Sequence, residues 1–261
     1  MFRFLKRCYR LWHWTLTVQF GIRPQTAFRA LAAFPVYIRD LLEFRRKYDG
    51  ALQFMPCLHD RRESGGNASS EYFVQDLSVA KRIFDRNPVR HVDVGSRVDG
   101  FVAHVACFRT IEVLDIRPTA SSISGIVFTQ ADLMDVDKCP TDYCDSLSCL
   151  HALEHFGLGR YGDTVDPSGW RSGVAGLSRL LKPDGRLYLS TPVGEEMVMF
   201  NAHRVFSPTK LVAAAESCGL VLDHLSWVGQ GRIESSADVR KDLDALGSGD
   251  YTLTIFEFLK R

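Results

Sequence analysis

The sequence predicts an α/β protein built on a doubly wound, mostly parallel sheet. Three observations carry this. From residue 71 onward, apolar strand-like runs alternate with segments of helical periodicity. The first of these runs, VRHVDVG, ends on an acid and turns on Gly95, and Gly100 follows five residues later. The chain has 261 residues, enough to bury one sizeable core with a small appendage.

Each element can be justified in order. EYFVQDLSVAKRIFDR has a helical apolar period and stops before Pro88. VRHVDVG is a buried-strand run, and FVAHVACF reads as the helix after it. TIEVLDIRP is a second strand, ended by Pro118; GIVFTQAD is a third and CDSLSCLHAL a fourth. WRSGVAGLSRLL is a helix closed by a KPDG turn, and RLYLSTP is a fifth strand. SPTKLVAAAESCGL is a helix with Ser207 as N-cap and Pro208 at its first position. VLDHLSWVG, a short polar helix at SADVRKDLDAL, and YTLTIFEFLK complete a sheet of about seven strands. The last two strands lack a long amphipathic crossover, which predicts antiparallel pairing at the sheet edge.

Residues 1–66 are predicted to form a basic, aromatic-rich helical segment, and residues 67–261 the α/β domain. Residues 1–50 hold ten basic residues against three acids, although the whole chain has a net charge of only +1. Helix breaks are expected near Pro24 and Pro35. Arg3, Lys6, Arg7 and Arg10 share one helical face, so two readings stay open. The face is a solvated stripe on a helix packed against the domain, or residues 1–20 make peripheral contact with an anionic membrane surface. RRESGGNASS, residues 61–70, reads as the linker.

The composition, with 46% hydrophobic and 24% charged residues, is that of an ordinary globular protein and argues against disorder. No apolar run is long enough to cross a membrane, and the N-terminus lacks the pattern of a signal peptide. Seven cysteines form no C-x-x-C pair, so reduced thiols in a cytoplasmic protein are expected. Peripheral location at the inner membrane face is the alternative. Cys139, Cys144 and Cys149 recur every fifth residue, but no fourth ligand has zinc-like spacing.

In a doubly wound sheet, ligands sit beyond the carboxyl ends of the strands. The first strand delivers Asp93 and the Gly95–Gly100 turn, whose glycine lets backbone approach a cofactor. The second ends at Asp115, 22 residues after Asp93, where a carboxylate can accept both hydroxyls of a ribose. The third ends at Asp132, which would meet an adenine amino group or cap the next turn. The fourth runs into HALEHFGLGRYGD, placing His151, Glu154 and His155 at the mouth of the cleft.

That order, together with LEHF after strand four and LLKPDGRLYLSTP through strand five, resembles the class I S-adenosylmethionine-dependent methyltransferases over residues 71–261. A finer pattern, YFVQDLSVAKRIF through HVDVGSRVDGFVAH and LDIRP to FNAHRVFSP, looks like a bacterial family of unknown function beside them. The resemblance implies a Rossmann-like fold with an antiparallel C-terminal strand pair, and S-adenosylmethionine as cofactor. It implies cofactor contacts from Asp93, Gly95, Ser96, Arg97, Gly100, Asp115, Asp132 and His151. One departure stands out: the family loop reads acid-x-Gly-x-Gly-x-Gly, and here Arg97 and Asp99 replace two glycines. Arg97 either pairs with the methionyl carboxylate or points outward to Asp99.

The reaction expected is methylation, at oxygen, of a small or glycan-like acceptor. His155 is the first candidate base and His203 the second, with Glu154 and Glu196 as orienting carboxylates. Arg160, Tyr161, Asp163 and Trp170, in a long polar loop, are residue types that suit a hydroxylated acceptor. Two other classes remain. One is a non-catalytic scaffold whose altered loop holds no cofactor. The other is a zinc hydrolase using the H-x-x-E-H of His151, Glu154 and His155, which would require a helix where a glycine-rich segment follows. No metal is expected. Nucleic acid is not expected as a partner, because the basic residues gather in the N-terminal segment and no N/D-P-P-Y/F motif follows strand four.

Overall fold

The computed structural model describes residues 9, 12–58, 61, 70–120 and 122–261. The chain divides into two compact units, Met1–Asn67 and Ala68–Arg261. The basic face of Arg3, Lys6, Arg7 and Arg10, and all of the expected linker except Arg61 and Ser70, lie outside the described residues.

In the first unit a π-helical turn, Thr15–Gln19, precedes helix α1 (Pro24–Lys47). Pro24 opens the helix at a position whose N–H would be unpaired anyway. The break expected at Pro35 does not occur: α1 runs straight through it. Proline there removes the donor to the Leu31 carbonyl. Leu31 is 73% exposed, so water can reach that stretch of backbone and the loss stays local.

The second unit opens with α2 (Glu71–Arg86), as the periodicity predicts. Val79, Ala80 and Ile83 are buried on one face, and Asn87, at φ +44°, ends the helix by donating to the carbonyls of Ile83 and Phe84. The strands are β1 (His91–Val94), β2 (Ile111–Asp115), β3 (Ile126–Gln130), β4 (Cys144–Leu150), β5 (Leu181–Val193), β6 (Met197–Met199), β7 (His203–Val205), β8 (Leu220–Gly229), β9 (Arg232–Ser235) and β10 (Thr252–Lys260). Their order in the main sheet is β3-β2-β1-β4-β5-β10-β8-β9, and β6 and β7 form a separate hairpin. β1 to β5 pair in parallel, whereas β10 is antiparallel to both β5 and β8.

The main sheet has eight strands where about seven were expected, because Gln230 and Gly231, both at positive φ, turn β8 back into β9. The expected antiparallel C-terminal pair is β8 and β10, with β10 inserted between β5 and β8. One expectation for this unit is corrected. The expected helix FVAHVACF is a π-helical turn, Val98–Val102, running into the single turn α3 (Ala103–Ala106).

Side chains alternate across the sheet as the pleat requires. Leu187 and Leu189 of β5 with Phe256 and Phe258 of β10 enter a core beneath α4 (Gly169–Leu180), α5 (Pro208–Ser217) and α6 (Val239–Gly247). Tyr188, Leu253 and Ile255 enter the opposite core, under α2 and Phe101, Val102 and Val105. Both faces are covered, so the sheet is doubly wound. The strand order reverses between β1 and β4, and this fixes where a ligand site forms.

Candidate functional site

A pocket opens at that reversal. Leu114, Ile116, Ala131, Leu133, Met134 and Phe156 supply apolar walls; Gly95, Asp115, Arg117, Asp132, His151, His155, Tyr161 and Asp163 supply polar groups. Five of the expected site residues thus line one cleft: Gly95, Asp115, Asp132, His151 and His155. Asp93, Ser96, Arg97, Gly100, Glu154 and His203 do not line it.

Asp93 is fully buried at the end of β1 and holds the turn together. It accepts hydrogen bonds from the Ser96 N–H (2.9 Å), the Ser96 hydroxyl (2.6 Å) and the Ser148 hydroxyl of β4 (2.5 Å). Ser96 in turn accepts from the Leu150 N–H at 3.0 Å, pinning the loop to β4. Gly95 sits at φ +67° with its N–H on the Leu114 carbonyl, and a Cβ there would stand 3.0 Å from that of Ala152. Gly100 answers a different need: a Cβ on it would lie 2.6 Å from the buried Asp76 carboxylate. Arg97, where the family loop has glycine, is at φ −66° and ψ 125°, an ordinary extended conformation that needs no glycine. Its guanidinium pairs with Asp99 at 3.2 Å on the exposed side of the loop.

Burial pushes the Asp93 carboxyl up to about 6, against the three hydrogen bonds that favour its charge. Between its ordinary value of 3.8 and about 6, the folded protein binds a proton that the unfolded chain has released. Stability therefore falls as pH rises through that window, by about 3 kcal/mol in total. Asp93→Asn is expected to lack this fall. Urea unfolding of both proteins from pH 4 to 7 tests it: a wild-type-minus-variant difference that stays flat with pH would remove the assignment.

At the end of β2 the Asp115 carboxylate is held by Arg117, through its backbone N–H (2.8 Å), Nε (2.9 Å) and Nη2 (2.6 Å). Arg117 also lies over the Tyr161 ring, 4.4 Å from its centroid. Asp132 accepts the Met134 N–H at 2.9 Å, so one of its oxygens caps the turn after β3.

After β4 the chain turns sharply at His151, a non-glycine residue at φ +54°. Its Nδ1 is 2.8 Å from Glu154, whose carboxylate is 1% exposed, and its buried Nε2 has no partner. Burial works to raise the Glu154 carboxyl, yet the charge and hydrogen bond of His151, with the charge of His155, bring it below its ordinary value. His155 donates Nδ1–H to the Ala202 carbonyl (2.7 Å), and burial lowers its pKa despite the nearby Glu154 charge. His203 opens β7; burial lowers its pKa too, and its buried Nε2 is also without a partner.

The zinc geometry does not form. Leu153–His155 is one 3-10 turn rather than an α-helix, and the two imidazoles are turned to Glu154 and Ala202. No cluster of three or more His, Cys, Asp or Glu suited to a metal occurs among the described residues.

Several of the residues expected to meet an acceptor hold the fold together. Asp163 folds its own loop by accepting from the N–H groups of Gly157, Gly159 and Tyr161. Arg160 donates to the Ala202 carbonyl at 2.8 Å, Trp170 packs in the core against Phe206, and Glu196 pairs with Lys210 on the surface. Sequence reading missed Arg204 altogether. It is 5% exposed and donates to the carbonyls of Glu154, Phe156, Asp166 and Pro167, tying the loop to β7. Arg117 was equally silent, although its place two residues after the strand-end acid is a signal that could have found it.

The family described as Caenorhabditis protein of unknown function, DUF268, matches residues 110–242, just over half of the chain. That description names Caenorhabditis, where the sequence pattern suggested a bacterial family. No curated protein matches. Among solved structures, the chain is similar to a 1,6-didemethyltoxoflavin N1-methyltransferase from Burkholderia thailandensis, with S-adenosylhomocysteine bound. The TM-score is 0.51 and the identity 14%, over 77% of this chain and 83% of that one. It is also similar to the 4+2 cyclase SpnF, with a TM-score of 0.50 and 14% identity over 71% and 81% of the two chains. At such identities the likeness is one of fold, and the fold serves more than one chemistry. The chain belongs to the DUF268 family, and its α/β unit has the class I methyltransferase fold.

Proposed function

We propose that this chain transfers a methyl group from S-adenosylmethionine to an oxygen of a small or glycan-like acceptor. The observation that carries the reading is Asp115, a strand-end carboxylate facing an apolar slot at the point where the strand order reverses. The residues fit the cofactor. Leu114, Ile116, Leu133 and Met134 would flank an adenine, Asp115 would accept the ribose hydroxyls, and Asp132 would accept from the adenine amino group. Gly95 is bare where a side chain would meet Ala152. S-adenosylmethionine supplies an electrophilic methyl group on a sulfonium.

The chain's own part is to position an acceptor and take its proton. A carbonyl only accepts, so His155 Nδ1 carries hydrogen and Nε2 keeps the lone pair. Its lowered pKa keeps the imidazole neutral at neutral pH, the state a base requires. The methyltransferase of similar fold that acts on didemethyltoxoflavin supports a small acceptor.

The test is calorimetric titration of S-adenosylmethionine and S-adenosylhomocysteine into wild type and a folded Asp115→Ala variant. Binding is expected in the wild type and about 10- to 100-fold weaker binding in the variant, the worth of hydrogen bonds to a charged group. No detectable binding by folded wild type would move the assignment to a scaffold without cofactor. The hold of Arg117 on Asp115 is the observation that favours that second reading.

A further inference from the structure

We infer that α1 of the N-terminal unit is a docking surface for an anionic phospholipid membrane. The inference is independent of the cofactor pocket. Phe28, Leu31, Pro35, Ile38 and Leu42 recur at alternating three- and four-residue steps, which places them in one stripe along the helix. The stripe is open: Phe28 is 74% exposed, Leu31 73%, Leu42 58% and Ile38 37%. A neighbouring row of Tyr37, Leu41 and Phe44 faces Cys57 and Leu58 across a pocket of the same unit. The Phe28–Leu42 row lines no such pocket within the described residues of its unit. Just before α1, Trp12, Trp14, Phe20 and Ile22 are exposed as well, and tryptophan favours the membrane–water boundary.

Charge selects the occupant. α1 carries Arg29, Arg39, Arg45, Arg46 and Lys47 against Asp40 and Glu43, a net charge of +3. Both acids are already engaged within the unit, Asp40 by Arg39 and Arg61 at 2.8 Å each and Glu43 by Lys47 at 2.7 Å. A second copy of the chain fits poorly. In a parallel coiled coil with this stripe as its seam, Arg39 and Arg46 would flank one side and Phe34 and Leu41 the other, so no acid of the partner helix would meet either arginine. Pro35 would also sit in the seam. An anionic lipid surface meets both demands, taking the apolar row below and the basic flank at the headgroups. No helix among the described residues is long and apolar enough to cross a membrane, so α1 would lie in the surface plane over about 36 Å.

The test uses the full chain in co-sedimentation with vesicles of phosphatidylcholine containing phosphatidylglycerol, beside vesicles of phosphatidylcholine alone. Each basic residue held at an anionic surface is worth roughly fivefold, so partition on the order of a hundredfold stronger into the anionic vesicles is expected. High salt should reverse most of it. The double variant Leu31→Glu, Ile38→Glu, checked for folding by circular dichroism, should fall to the level of phosphatidylcholine alone. Val89→Glu, at a 90% exposed apolar position of the other unit, should bind as wild type does. Equal binding to both vesicle types overturns the inference, and so does binding unaffected by the double variant. Absence of vesicle binding by folded wild type also overturns it, including the case where the protein self-associates and the double variant abolishes this, which would make the stripe a contact between copies.

Discussion

Replacing Glu257 with alanine is expected to lower the free energy of unfolding by about 3–5 kcal/mol, the usual cost of removing one partner from a buried ion cluster. Glu257 lies on β10, is 1% exposed, and faces three arginines. Arg82 of α2 reaches it at 2.5 Å, Arg86 at 2.6 Å, and Arg186 of β5 at 3.2 Å. Two of those cations have little water to turn to, since the Arg82 and Arg186 side chains are 20% and 17% exposed. Their remaining partners are the Ser226 hydroxyl for Arg82 and Asp223 for Arg186. Glu257→Gln keeps the volume and should fall between alanine and wild type. The measurement is urea unfolding at neutral pH, read as a lower midpoint at unchanged slope. A loss under about 1 kcal/mol would mean that the arginines relax outward and that the cluster orients α2 without stabilising it.

The second large effect is expected at Gly157, in the loop that walls the pocket. Its φ is +76°, and a Cβ built on it would stand 2.0 Å from the Asp166 carbonyl oxygen and 3.2 Å from the Gly169 Cα. Alanine therefore meets both a left-handed backbone and rigid main chain, for a combined loss of about 3 kcal/mol. The backbone would have to open where Gly157 donates to Asp163 and accepts from Asp166. Phe156, Tyr161 and Asp163 would shift with it, and all three line the pocket. Gly162→Ala is the matched comparison: φ is +86° there too, but nothing lies within 4 Å of the added methyl. It should lose only about 1 kcal/mol. Thermal unfolding of the two variants decides the point, because equal losses would show that the close approach at Gly157 is relieved by easy movement.

What the sequence revealed follows from how local each signal is. The period of EYFVQDLSVAKRIFDR and the proline after it mark α2 to the residue, and the alternation of strand and helix identifies the sheet. The hairpin of β6 and β7 was invisible, because three-residue strands carry no period to detect. Pro35 misled for a physical reason: its signal is a missing donor, and exposure decides whether that loss breaks a helix. In the site, Asp115 at the end of β2 could be placed by counting, since topology puts strand ends at the cleft; Asp132, expected as a strand end, lies two residues beyond β3 and still reaches the pocket. Partnerships could not be placed this way. That Arg117 holds Asp115, that Arg204 ties down the loop, and that Trp170 belongs to the core depend on residues distant in the chain or on which way a side chain turns.

The position of β10 inside the sheet has a consequence for synthesis. β5 is complete at Val193, yet the edge it offers is filled only by Thr252–Lys260, and β8 waits for the same strand. With translation at roughly 5–20 residues per second, the 67 residues from Val193 to Lys260 take roughly 3–13 s to appear. Throughout that interval the β5 edge stays unpaired, and from Gly229 onward β8 adds a second open edge, the kind of template on which other unfinished chains pair. Closing the sheet is therefore a late and non-local event, which slows folding and lengthens the time the open edges are exposed.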